Sequence, residues 1–234
     1  MTTFAAIFRG ASALVMLSGL ACAQDAMTIL KHVGETYSAL RSYEFQGTTS
    51  SVTQTGKITS TSDESFSVTF SAPDHFFVEF RYPGQGSWTR ASNGTTMTEI
   101  RTAIKEFDRR PATQYDIRVL DNSPIGAFYE MEKGVNSATV EGSEKLTVEG
   151  QEVDCWVIQA DRQVGILPGG VQRLPTKLWI DKARSLVLKQ VSGTESIEKG
   201  SKATKNERTM TITLAHLSQP ISPEVFEPRG GKKK

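Results

Sequence analysis

The chain is poor in the residues that most directly announce chemistry. It holds two cysteines and three histidines in 234 residues. Two cysteines as far apart as Cys22 and Cys155 make no Cys-x-x-Cys metal or redox motif and no disulfide framework. His32, His75 and His216 have no second His, Cys or carboxylate at a metal-ligand spacing such as H-x-x-x-H. No Gly-x-Ser-x-Gly elbow, phosphate loop or dinucleotide glycine fingerprint is present; Gly84-Gln85-Gly86 is a turn without the rest of the pattern. The pair Glu130 and Glu132 reads as ordinary surface charge. An excess of one sign is also missing. Lys and Arg number 27 against 26 Asp and Glu, a formal net charge of +1. Neutralising phosphates needs clustered cations, so nucleic acid is not the expected partner. No enzymatic activity, cofactor or metal is expected from this inventory.

What is present begins with an export signal. Arg9 is the first charge and Asp25 the next. Between them Ala11 to Ala21 is apolar, broken only by Ser12, Ser18 and Gly19, and Ala21-Cys22-Ala23 is a small-x-small exit. That run is about half of the ~20 residues that span a bilayer core. Residues 1–23 are therefore expected to be a signal peptide cleaved after Ala23, releasing the protein into the periplasm. Gly19-Leu20-Ala21-Cys22 partly matches a lipobox, so anchoring through a lipidated Cys22 is the alternative. Residues 24–228 are expected to form one domain. Residues 229–234 form a basic tail ending in Lys232, Lys233 and Lys234.

The domain opens with a helix, capped by Asp25 or Thr28. It carries Leu30, Val33, Tyr37 and Leu40 on one face and Lys31 and Glu35 on the other. The rest is mostly β. Phe66, Val68 and Phe70 alternate with polar residues up to a Pro73-Asp74 turn, and Phe76, Val78, Phe80 and Tyr82 alternate beyond it. Asn93-Gly94 turns the next hairpin. A second helix is expected from Ser123 to Gly134, with Ile125, Phe128 and Tyr129 on one side. Strands resume through Ala138–Val148, Val153–Ala160, Thr176–Ile180, Leu186–Val191 and Thr209–Leu217. Residues 165–170 are expected to be a loop, and 195–206 an exposed hairpin tip. Cys155, in a strand-like run, reads as a buried inert thiol.

The aromatic residues Phe66, Phe70, Phe76, Phe80 and Tyr82 share one face of two adjacent strands. They form either a core or the wall of an apolar pocket, and periodicity does not separate the two. A pocket would favour an acyl chain by about 0.8 kcal/mol per buried methylene.

In order along the chain, several segments resemble the LolA/LolB-like lipoprotein-carrier superfamily and the related sigma-factor regulatory sensors. They are the helix Ala26 to Leu40 entering Tyr43-Glu44-Phe45, the strand-turn-strand from Phe66 to Phe80, and Ser92-Asn93-Gly94-Thr95-Thr96-Met97. They continue with the segment Pro124 to Phe128, Leu178-Trp179-Ile180-Asp181 with Leu186-Val187-Leu188, and the closing Ile221 to Pro228. The resemblance implies an unclosed antiparallel β-barrel with two or three helices lidding an apolar concave face. It implies a periplasmic binder of lipid or lipoprotein acyl chains, acting as a monomer, with an envelope-protein sensor or interaction module as the alternative. The cavity lining is then expected from Phe66, Val68, Phe70, Phe76, Val78, Phe80, Tyr82, Phe128, Trp179 and Ile180. Where the carriers have an Arg before the turn proline, this chain has Ala72. That departure bears on lipoprotein shuttling and leaves acyl-chain binding in general untouched.

Overall fold

A computed structural model describes residues 25–167, 170–196 and 204–228. The expected signal peptide, its cleavage site and the basic tail lie outside the described residues.

Helix α1 (Ala26–Ala39) starts where Asp25 Oδ1 accepts a hydrogen bond from the Met27 amide at 3.3 Å. Its buried stripe is Ile29, Leu30, Val33 and Tyr37, with Lys31 and Glu35 paired on the exposed side. Leu40 ends the helix in extended geometry and is only partly buried.

Eleven strands follow: β1 (Ser42–Thr55), β2 (Ile58–Ser71), β3 (His75–Tyr82), β4 (Gly86–Asn93), β5 (Thr96–Arg101), β6 (Glu106–Pro111), β7 (Val135–Val148), β8 (Gln151–Leu167), β9 (Gly170–Asp181), β10 (Val187–Ser196) and β11 (Thr204–Leu217). They form one antiparallel sheet in the order β6-β5-β4-β3-β2-β1-β11-β10-β9-β8-β7. The sheet is therefore two meanders, β1–β6 and β7–β11, joined along β1 and β11. The outermost strands β6 and β7 do not pair with each other, so the barrel is unclosed, as expected. Gly56 and Gly94 take positive φ (61° and 81°) in two of the tight turns, where a side chain would be strained.

Three expectations change. Of the loop expected at 165–170, the described residues are strand, β8 continuing to Leu167 and β9 beginning at Gly170; of the tip expected at 195–206, residues 197–203 lie outside the described residues and the rest is strand. The second helix is absent. Residues 112–134 instead cross from β6 to β7 as a strap of turns, with 3-10 segments at Asp116–Val119 and Gly126–Phe128. Ser123 does not cap a helix; its hydroxyl donates back to the Leu120 carbonyl at 2.6 Å. Pro124 then disfavours helical geometry in the residue before it. Gly126 sits so close to the Leu120 and Asp121 carbonyls that a Cβ there would lie 2.5 and 2.3 Å away. Among the described residues α1 is the one α-helix, and no helix is long and apolar enough to cross a membrane.

Candidate functional site: the inner face of the sheet

Strand register assembles the inner face. Phe66 lies opposite Phe80, Val68 opposite Val78, and Phe70 opposite Phe76. On the other side of β2, Val68 faces Phe45 and Phe70 faces Tyr43. α1 and the strap cover this surface. The Tyr37 ring stacks on Phe45 at 5.7 Å and meets Phe128 of the strap at 5.3 Å. Phe66, Val68, Phe76, Val78, Phe80, Phe128 and Ile180 are buried, and Phe70 and Tyr82 pack against them from partly exposed positions. All ten expected lining residues, Trp179 included, thus fall in one hydrophobic cluster. Beneath α1 the space is filled by their side chains.

Trp179, also buried, points to the other side of the sheet from Ile180. Neighbouring residues of a strand point to opposite faces, so Trp179 and Ile180 cannot line one cavity. The Trp179 indole donates to Glu144 Oε2 at 2.7 Å. The ammonium groups of Lys189 and Lys177 lie over its ring at 4.5 and 5.5 Å. It belongs to the outer face.

The strap is fastened at both ends. Arg110 on β6 forms a two-pronged bond with Asp116, at 2.5 and 3.0 Å. The backbone and hydroxyl of Thr113 donate to the same carboxylate. These contacts, the Arg110 hydrogen bond foremost, hold the Asp116 carboxyl below its usual range despite partial burial. At the far end the Tyr129 hydroxyl meets that of Tyr43 at 2.5 Å, and the Tyr129 carbonyl accepts from Ser38 at 3.0 Å. In between, Val119, Leu120, Ile125, Phe128 and Met131 point into the core.

A cleft runs along each side of the strap. One, of about 390 Å³, has an apolar wall of Leu40, Phe70, Ala72, Pro73, Ile117 and Leu120, with Arg41, Arg118 and Asp121 also bordering it. The other, of about 330 Å³, lies between Ser123, Pro124 and Ala127 of the strap and β9–β11, which supply Leu174, Gln190, Ser192, Thr194, Asn206, Arg208 and Met210.

Charge collects on the inner face away from α1, where no motif announces it. Trp88 stacks on Phe80 at 5.7 Å, and Arg90 lies over Trp88 at 4.8 Å. Burial pushes the Glu99 carboxyl up. Hydrogen bonds from Trp88 at 3.0 Å, Arg101 at 2.8 Å and Arg90 at 2.8 Å outweigh it and leave the group below its ordinary value. Arg208 pairs with Glu64 at 3.1 Å. Burial lowers the Arg162 pKa, and its Nε has no hydrogen-bond partner. Spacing alone hides these residues, because β4 and β5 carry only Arg90, Glu99 and Arg101, too few charges to make a pattern. Carrying the register outward from the Asn93-Gly94 turn would have found Trp88, Arg90 and Glu99 together.

The remaining candidates are structural. The Cys155 thiol is pushed up to about 11 by burial first and by Asp181 and Asp154 next, the condition of an inert thiol. Glu130 pairs with Lys133 at the surface, but Glu132 turns inward against Gly34, its Oε2 buried and without a partner. Among the described residues, no three His, Cys, Asp or Glu side chains gather where they could hold a metal ion.

No protein-family model and no characterised protein sequence matches the chain. Solved structures do. A LolA superfamily protein from Nitrosomonas europaea is 12% identical with a TM-score of 0.33, over 86% of this chain and 97% of that one. A putative outer membrane lipoprotein-sorting protein domain from Vibrio parahaemolyticus is 10% identical with a TM-score of 0.32, over 86% and 95%. A chain of the MucA/MucB complex of Pseudomonas aeruginosa is 16% identical with a TM-score of 0.42, over 86% of this chain and 60% of that one.

Proposed function

We propose that the protein is a non-enzymatic periplasmic binder of acyl chains, carried by lipids or by lipidated proteins. The observation that carries this reading is the strap. It covers an apolar inner face, is fastened by polar contacts at its two ends, and has an apolar-walled cleft of about 390 Å³ beside it. A chain entering between Leu40, Phe70 and Leu120 would extend under the strap as Phe128 and Ile125 give way. Each methylene buried there contributes about 0.8 kcal/mol.

The test uses mature protein purified without detergent. Solvent extraction followed by mass spectrometry is expected to release co-purified lipid. A fluorescent fatty acid is expected to bind saturably, and Leu120→Asp at the cleft wall is expected to weaken it by about tenfold. Empty extracts together with unsaturable fluorescence would sink the proposal.

A second reading, an envelope interaction module, draws on β7. Its outer edge has no partner strand among the described residues, so an extended peptide could add to it. In-cell crosslinking from β7 that captures no protein would count against that reading.

A further inference from the structure

We propose that the cleft between the strap and β9–β11 is an oxyanion site, so that the bound amphiphile carries a phosphate or carboxylate head. The tail in this proposal rests on the acyl-chain reading above; the anion site does not.

Arg162 carries the inference. It lies on β8 directly opposite Leu174 of β9, a wall residue of the cleft, so the two side chains are neighbours on the same sheet face. Its Nε is buried and has no hydrogen-bond partner, and burial is the one influence on its pKa. A buried guanidinium N–H without a partner is costly, and folded proteins rarely keep one without use. Burial correspondingly lowers its pKa.

The surroundings suit an anion. Arg208, which borders the cleft, neutralises Glu64. Gln190, Ser192, Thr194 and Asn206 offer neutral donors. Thr49 is buried with its hydroxyl unpartnered, and its strand partner Met210 also borders the cleft. Among the described residues, the cleft lining holds several neutral donors and no carboxylate, with the unsatisfied Arg162 Nε beside its Leu174 wall. Leu174, Met210 and Ala127 leave an apolar exit toward the strap for the first methylenes of a tail.

Isothermal titration of the mature protein with octyl phosphate, 1-octanol and inorganic phosphate tests this. Octyl phosphate is expected to bind at least about tenfold more tightly than octanol, the worth of one charge-assisted hydrogen bond. Arg162→Gln is expected to erase that difference while leaving octanol unchanged. Because the buried Nε–H has no partner, Arg162→Gln is also expected to raise the thermal midpoint by a few degrees. A lower midpoint would make Arg162 a structural strut and overturn the assignment. Equal binding of octanol and octyl phosphate, unchanged by Arg162→Gln, overturns the anion site and leaves acyl binding standing. Inorganic phosphate binding that depends on Arg162, with neither octyl compound binding more tightly than phosphate itself, keeps the anion site, identifies a free oxyanion as the ligand and refutes the tail.

Discussion

At Gly47, β1 has no room for a side chain. A Cβ there would lie 2.3 Å from the Thr211 carbonyl oxygen and 2.5 Å from the tip of the Phe66 ring. The register between β1 and β11 also slips between Gln46 and Gly47. The large Phe66 ring is thus accommodated by the smallest residue opposite it. Gly47→Ala forces either the ring or the backbone of β11 to move, at a cost of about 1–3 kcal/mol. Thermal unfolding should show a midpoint several degrees lower, and an alanine variant as stable as the parent would mean that the two strands separate freely. From the sequence, Gly47 reads as a turn signal. The close approach that requires it comes from a residue nineteen positions away in the alternation of β2, which a local pattern does not register.

The strap is where acid should act first. Asp116 is held below its ordinary pKa, chiefly by Arg110. A carboxyl with a depressed folded pKa stabilises the fold above its unfolded value, near 3.8, and that contribution vanishes as pH falls through the folded value. Arg110 is nearly half exposed, so solvent screening keeps the contribution to about 1 kcal/mol. The parent should be more stable than Asp116→Asn at neutral pH, and the two unfolding midpoints should converge on acidification below about pH 4. A gap that stays constant with pH would show that the clamp is not ionic.

The same element shows where sequence reading stops. α1 and the hairpins were legible because each is set by its own period, 3.6 for Leu30, Val33 and Tyr37, and 2 for Phe66 through Tyr82. In the strap, Ile125, Phe128 and Met131 recur every three residues, a spacing that 3-10 turns satisfy as well as an α-helix does. Contact with Tyr37 and the fold-back at Gly126 decide between them, and both are tertiary. The apolar floor of the site was legible for the reason the hairpins were. Arg162 and its cleft were not, because their meaning lies in a missing partner.

For the molecule as a whole, the strap joins the two free edges of the sheet across its hollow side, while β1 and β11 hold the two meanders together behind it. Severing the strap therefore should not split the protein. A protease site inserted at the exposed Asp121-Asn122 turn, then cut, should give two fragments that still co-elute on gel filtration. The cut protein should bind more of a dye such as ANS, because the apolar floor is less well covered. Fragments that separate would show that the β1–β11 seam alone cannot hold the halves.

The two edges are also unequal. β6 is six exposed residues, four of them charged, and ends in Pro111, which has no amide hydrogen to donate. β7 is fourteen residues long. In the language of polymer chemistry, a sheet with two receptive edges is a bifunctional monomer and can grow into a filament. This one has a single receptive end. Copies that meet through β7 can terminate as pairs, but β6 is a built-in chain stopper that keeps the sheet from polymerising.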